Sequence, residues 1–149
     1  MIPYYYKPSE VQNNSQGAYN YVGEVNNQYD FGFGLSYSEF IYGDLEINKD
    51  EFSLNDTIKV SVNVKNLSGI DGYETIQLYS SDLYASVTPD IKRLRDFKKV
   101  DIKAGQIKTI KFDLPVTELA FANSDNEFVV EPGMFKLSID KSSREITIR

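Results

Sequence analysis

The ten residues Thr57–Asn66, TIKVSVNVKN, decide how the rest of the chain is read. Ile58, Val60, Val62 and Val64 are apolar, and Lys59, Ser61, Asn63 and Lys65 between them are polar. A period of two with β-branched residues on one side is the pattern of a half-buried strand. Wound as a helix, the same apolar residues would step about 200° at a time and form no stripe. The loop after Asn66 carries Gly69, Asp71 and Gly72, and Tyr73–Ser80 then reads as a second strand with Ile76 and Leu78 on one face. Two such neighbours predict a β-sandwich.

The pattern continues toward the C-terminus. Ile91–Ile102 holds Leu94, Phe97 and Val100 among five Lys or Arg residues, and is read as an irregular edge strand whose charges discourage strand-to-strand association. A turn at Lys103–Gln106 leads to Thr109–Leu114, a strand with Ile110, Phe112 and Leu114 inward, stopped by Pro115. Val116–Leu119 fits one helical turn, and Ala120–Val130 a hairpin across Asn123–Glu127. Glu131-Pro132-Gly133 offers Pro and Gly where a type II turn wants them. Met134–Asp140 and Glu145–Ile148 close the sheet, with Phe135, Leu137, Ile139, Ile146 and Ile148 as core. Upstream, Phe40, Tyr42, Leu45 and Ile47 mark a strand bent at Gly43, and Asn48–Asp56 a turn; Ser81–Asp90 is a loop. Roughly seven short strands separated by turns describe an all-β, immunoglobulin-like sandwich.

Composition narrows function. A chain of 149 residues holds one domain and a tail. A net charge of -6 without a long basic run argues against nucleic acid, whose phosphates need clustered cations. There is neither a membrane-spanning apolar run nor an export signal in the sequence, and the compartment stays open. The absence of cysteine removes disulfides and thiolate sites, and the absence of histidine removes the commonest general base and metal ligand. Carboxylate chemistry alone survives as an intrinsic option.

No stretch assembles such chemistry. Gly32-Phe33-Gly34 lacks the third glycine and following helix of a phosphate loop. Gly34–Ser38 half-matches a nucleophile elbow with no histidine to serve it. Asp125-Asn126-Glu127 lacks the further ligands of a calcium loop and reads as a hairpin tip. A glycosidase pair needs carboxyls about 5–5.5 Å apart across a cleft, and nothing singles out two of the 22 acidic residues. Catalytic, cofactor-binding and metal residues are therefore all expected to be absent.

Residues 1–30 differ in character. Tyr4, Tyr5, Tyr6, Tyr19, Tyr21 and Tyr29 are scattered without a period among Asn, Gln and Ser. That is too aromatic for a free linker and reads as an irregular leader lying on a surface. Asp30–Tyr37, DFGFGLSY, sets two glycines among Phe31, Phe33 and Leu35, as if backbone and rings must enter a tight space together. It is taken as the entry to a sandwich over residues 31–149.

Six motifs in order resemble one family: FGFGLSY at 31–37, VSVNVKN at 60–66, GYETIQLYSSD at 72–82, LRDFKKVDIKAGQ at 94–106, FDLPVTELAF at 112–121 and FVVEPGMFKLSI at 128–139. Together they resemble the C-terminal fibronectin type III-like domain of glycoside hydrolase family 3. IPYYYKPS at 2–9 is similar to the segment by which those enzymes leave a preceding α/β sandwich domain. Asp30 stands where such proteins often carry a proline. The resemblance implies a parent enzyme of β-glucosidase or β-xylosidase type whose catalytic residues lie in other domains, so that none is carried onto this sequence.

Two readings of different class follow. In the first the domain is a non-catalytic structural accessory, packing on and stabilising catalytic domains of the same polypeptide through Phe31, Phe33, Leu35 and Tyr37. In the second it is a carbohydrate-binding module that contacts polysaccharide through exposed tyrosines, Tyr79 and Tyr84 being the candidates. An adhesion sandwich with no hydrolase attached is a third, which the aromatic leader speaks against.

Overall fold

The computed structural model describes residues 31–84 and 92–149, together with Tyr29 and the backbone of Tyr5–Tyr6. The expected leader over 1–30, and most of the loop expected over 81–90, lie outside the described residues. In chain order the strands are β1 (Tyr5–Tyr6), β2 (Phe40–Tyr42), β3 (Glu46–Ile47), β4 (Glu51–Phe52), β5 (Thr57–Asn66), β6 (Gly72–Asp82), β7 (Lys92–Ile102), β8 (Ile107–Pro115), β9 (Phe121–Ala122), β10 (Phe128–Val129), β11 (Gly133–Ile139) and β12 (Ser142–Ile148). The larger sheet runs β1-β7-β6-β11-β12-β4, and in the smaller one β2 and β3 flank one side of β5 while β8 pairs with the other. β9 and β10 form the hairpin expected from the sequence.

Strand β5 keeps its period from end to end: Ile58, Val60, Val62, Val64 and Asn66 are buried, and Lys59, Asn63 and Lys65 exposed. Its partner β8 turns Ile110, Phe112 and Leu114 to the same core, which Ile76 and Leu78 of β6, Phe135, Leu137 and Ile139 of β11, and Ile146 and Ile148 of β12 meet from the facing sheet. Burying each of these side chains contributes about 1.5–3 kcal/mol. Gly43 separates β2 from β3 and donates its N–H to the Asn63 carbonyl at 2.8 Å, so the bent strand continues along one edge of β5.

Asn66, at 0% exposure, is the polar member of the buried series. Its Nδ2 donates to the Ile70 carbonyl at 2.8 Å and the Ile102 carbonyl at 3.0 Å, and its Oδ1 accepts from the Ser68 N–H at 2.8 Å. One amide thereby joins the end of β5, the loop after it and the end of β7.

Two expectations are corrected and a third is extended. The turn over 48–56 contains β4, which pairs in parallel with β12 and inserts Phe52 into the core. Gly133 lacks the positive φ of a type II turn, because it is already extended and paired with Ile148. Strand β7 is the irregular edge strand expected, paired with β6 on one side with a register shift at Leu78/Tyr79 and, among the described residues, with β1 at Lys92 and Arg93 alone on the other, but its charges do more than guard an edge. Arg93 donates to the Ala120 carbonyl at 3.0 Å, and Arg95 to Glu118 and Leu119 carbonyls at 2.5 and 3.2 Å and to Ser80 Oγ at 2.6 Å. These guanidinium groups clasp the 3-10 helix Val116–Leu119, whose Val116 and Leu119 are buried.

Candidate functional site

Strand β11 pairs with β6 only from Tyr79 to Asp82 and then turns away after Ile139. Over Gly72–Gln77, β6 thus has a partner strand on its β7 side alone among the described residues. The entry segment runs past this notch. Ser38 is buried, and a Cβ on Gly72 would collide with its side chain. Further up, Gly32 takes φ +89° with the Tyr79 hydroxyl against its Cα, a place that has no room for a side chain.

The segment has two sides. Phe31 tilts its ring against Tyr79 with centroids 5.9 Å apart, and Tyr29 stacks on Phe33 at 4.8 Å. Leu35 and Tyr37 are 89% and 101% exposed, and neither lines the notch. The tight space expected for DFGFGLSY therefore receives Phe31 and Gly32, whereas Leu35 and Tyr37 face outward.

Between the entry segment, β6 and the turn from β11 to β12 lies a cleft of about 600 Å³. Tyr42 Oη donates to Glu74 Oε1 at 2.6 Å; burial first, and then the Glu74 carboxylate, push the Tyr42 hydroxyl well above the usual tyrosine range. The Tyr79 hydroxyl donates to Gln77 Oε1, and Lys92 Nζ sits 4.4 Å from the centre of the Tyr79 ring. Asp140, in the left-handed region at φ +51°, and Lys141 bring the turn to the cleft.

Tyr79 and Tyr84 part company as sugar-contact candidates. Tyr79 is 4% exposed, because Phe31 and Gly32 cover the sheet face on which it stands. It offers no stacking face, and the expectation of an exposed Tyr79 is corrected. Tyr84 is 75% exposed and lies outside the cleft lining. Glu74 and Gln77 went unmarked in the sequence, although a carboxylate in phase with Ile76 and Leu78 on β6 is a signal that period-two reading can find.

Residues 74–143 match the family model for the fibronectin type III-like domain. A β-xylosidase from Formosa agariphila is 43% identical over 114 residues, which are 76% of this chain and 16% of that protein. The crystal structure of a GH3 β-glucosidase from Bifidobacterium adolescentis superposes with a TM-score of 0.70 at 31% identity, covering 80% of this chain and 18% of that one. The chain belongs to the fibronectin type III-like domains of family 3 glycoside hydrolases. A β-glucosidase from Listeria innocua, solved with gluconolactone, matches this fibronectin type III-like domain over 99% of its length and 22% of its own, with a TM-score of 0.80 and 30% identity. The domain spans about a fifth of the relatives it matches.

Proposed function

We propose that this fibronectin type III-like domain is the non-catalytic accessory module of a β-glucosidase- or β-xylosidase-type enzyme, and that it packs on and stabilises the catalytic domains of that polypeptide. The observation that carries the reading is the outward side of the entry segment. Leu35 and Tyr37 are almost wholly exposed, a cost in water that burial against another domain would recover. The relatives' greater length supports the presence of such a domain. In this reading residues 1–30 connect to it and residues 31–149 form the sandwich, with β1 fastening the connection to the edge of β7.

The test is a Leu35→Ser/Tyr37→Ser double substitution in the full-length parent enzyme and in this chain alone. The isolated domain should melt as before, since both residues are exposed, while the parent loses thermal stability and inactivates faster on warming. A parent whose melting and inactivation are unaltered would rule the docking role out. Turnover of aryl β-glucosides by the isolated chain would rule out the non-catalytic one.

A further inference from the structure

We infer that the cleft beside the entry segment is a binding site for a neutral mono- or disaccharide. Glu74 and Asp140 supply two carboxylates and Lys92 and Lys141 two ammonium groups, so the charges at the cleft cancel and select neither an anion nor a cation. What remains is a set of directional partners for hydroxyl groups. One Glu74 oxygen is held by the Tyr42 hydroxyl, which fixes the carboxylate and leaves its second oxygen as an acceptor. Gln77 uses its carbonyl oxygen on Tyr79, leaving the two amide N–H donors for a ligand among the described residues. Hydrogen bonds from hydroxyls to ionised groups are roughly twice as strong as neutral ones.

The apolar requirement is met by the entry segment. Phe33, 54% exposed and backed by the Tyr29 ring, presents an aromatic surface to the cleft, the partner suited to the C–H face of a pyranose. A volume of about 600 Å³ falls within the ordinary range of small-ligand sites and accommodates roughly one or two sugar rings. Charged and amide groups with an exposed ring, beside a stretch of β6 whose edge away from β7 has no partner strand among the described residues, suit a polyol better than a lipid or a nucleotide. The cleft chemistry stands by itself, and the choice of β-linked glucose or xylose units rests on the glycosidase reading above.

The test is an amide NMR titration of the 149-residue chain with glucose, xylose, cellobiose and xylobiose, with glycerol as control. Saturable shifts are expected at Gly34, Thr75, Gln77 and Asp140, with a Kd in the millimolar range typical of a ligand of about a dozen to two dozen atoms. Phe33→Ala and Glu74→Gln should each weaken binding by about tenfold or more while the amides of Val60 and Val62 stay in place as reporters of the fold. If Glu74→Gln disturbs those reporters, Lys141→Ala at an exposed turn supplies the second variant. Absence of saturable shifts with all four sugars, equal shifts with glycerol, shifts centred on Tyr84, or unchanged affinity in the folded variants would each overturn the site. Leu35 and Tyr37 lie outside the cleft, so failure here leaves the docking experiment to be decided separately.

Discussion

Replacing Asn66 tests how much of the fold depends on one buried amide. Asn66→Ala removes the buried hydrogen bond to the Ile102 carbonyl, and takes the side-chain partner from the Ile70 carbonyl and the Ser68 N–H in partly buried positions. The first costs about 1–3 kcal/mol and the other two about 1 kcal/mol each, so the sum is about 3–5 kcal/mol. That is a large share of the roughly 5–15 kcal/mol by which domains are stable. Because the chain has no tryptophan, unfolding is best followed by far-UV circular dichroism, and the urea midpoint should fall by about 2 M. Asn66→Asp makes the argument sharper. Its carboxylate still accepts from Ser68 but faces two carbonyl oxygens with no proton to offer, so its folded-state pKa must rise above the unfolded value of about 3.9. A raised carboxyl pKa means that the folded state binds the proton more tightly. The deficit relative to wild type is therefore largest near neutral pH, shrinks as pH falls through the folded value, and is smallest below about pH 3.9. An Asn66→Ala loss under about 1 kcal/mol, or an Asn66→Asp deficit that is flat with pH, would refute the assignment of the amide as a three-way tie.

Leu137→Ala, at a fully buried position, should destabilise the isolated domain by about 2–5 kcal/mol, whereas Leu35→Ala should stay within about 0.5 kcal/mol; thermal melts of the two variants check the contrast. Gly32→Ala places a methyl group against the Tyr79 hydroxyl at a positive φ, and should lift the entry segment from the sheet. Loss of Phe31–Tyr79 nuclear Overhauser contacts with the core amides unchanged is the expected readout. Asp71 is held below its usual pKa by the Ala104 N–H and then by Lys103, so its contribution is present above the unfolded value of 3.8 and lost as pH falls through the lower folded value. Asp71→Asn should flatten that part of the acid limb in a pH series of urea melts.

Much of the sandwich was legible because alternation is a direct physical record of two-faced burial. Thr57–Asn66, Thr109–Leu114 and Met134–Asp140 are long enough for a period of two to show, and the inward residues named from them are the ones buried. Glu51–Phe52 shows the limit: two residues carry no period, and their partner is separated from them by most of the described chain. The fate of Tyr79 marks another. Alternation places its side chain on the outer face of the sheet but says nothing of the segment that crosses that face, and Phe31 closes it over. Asn66 and Glu74 sat in plain phase with apolar neighbours, and polar residues in that phase mark either a buried tie or a cleft. At the entry, composition told of rings and glycines together, and the division into an inward Phe31 and outward Leu35 and Tyr37 is set by the close approach of Gly32 to the Tyr79 hydroxyl, a tertiary fact.

The pairing of β4 with β12 has a kinetic consequence. The Arg149 side chain reaches Glu51 across 98 residues of sequence, beside the Thr147–Glu51 and Ile148–Phe52 register. Closing so long a loop costs more entropy than pairing β6 with β7, which are far nearer in the chain, and about 0.6 kcal/mol more than pairing β5 with β8. The parallel edge should therefore form late, after the folding barrier has been crossed. Substitutions at Phe52 would then leave the folding rate nearly untouched and accelerate unfolding, so this short seam governs how long the native domain lasts more than how fast it appears.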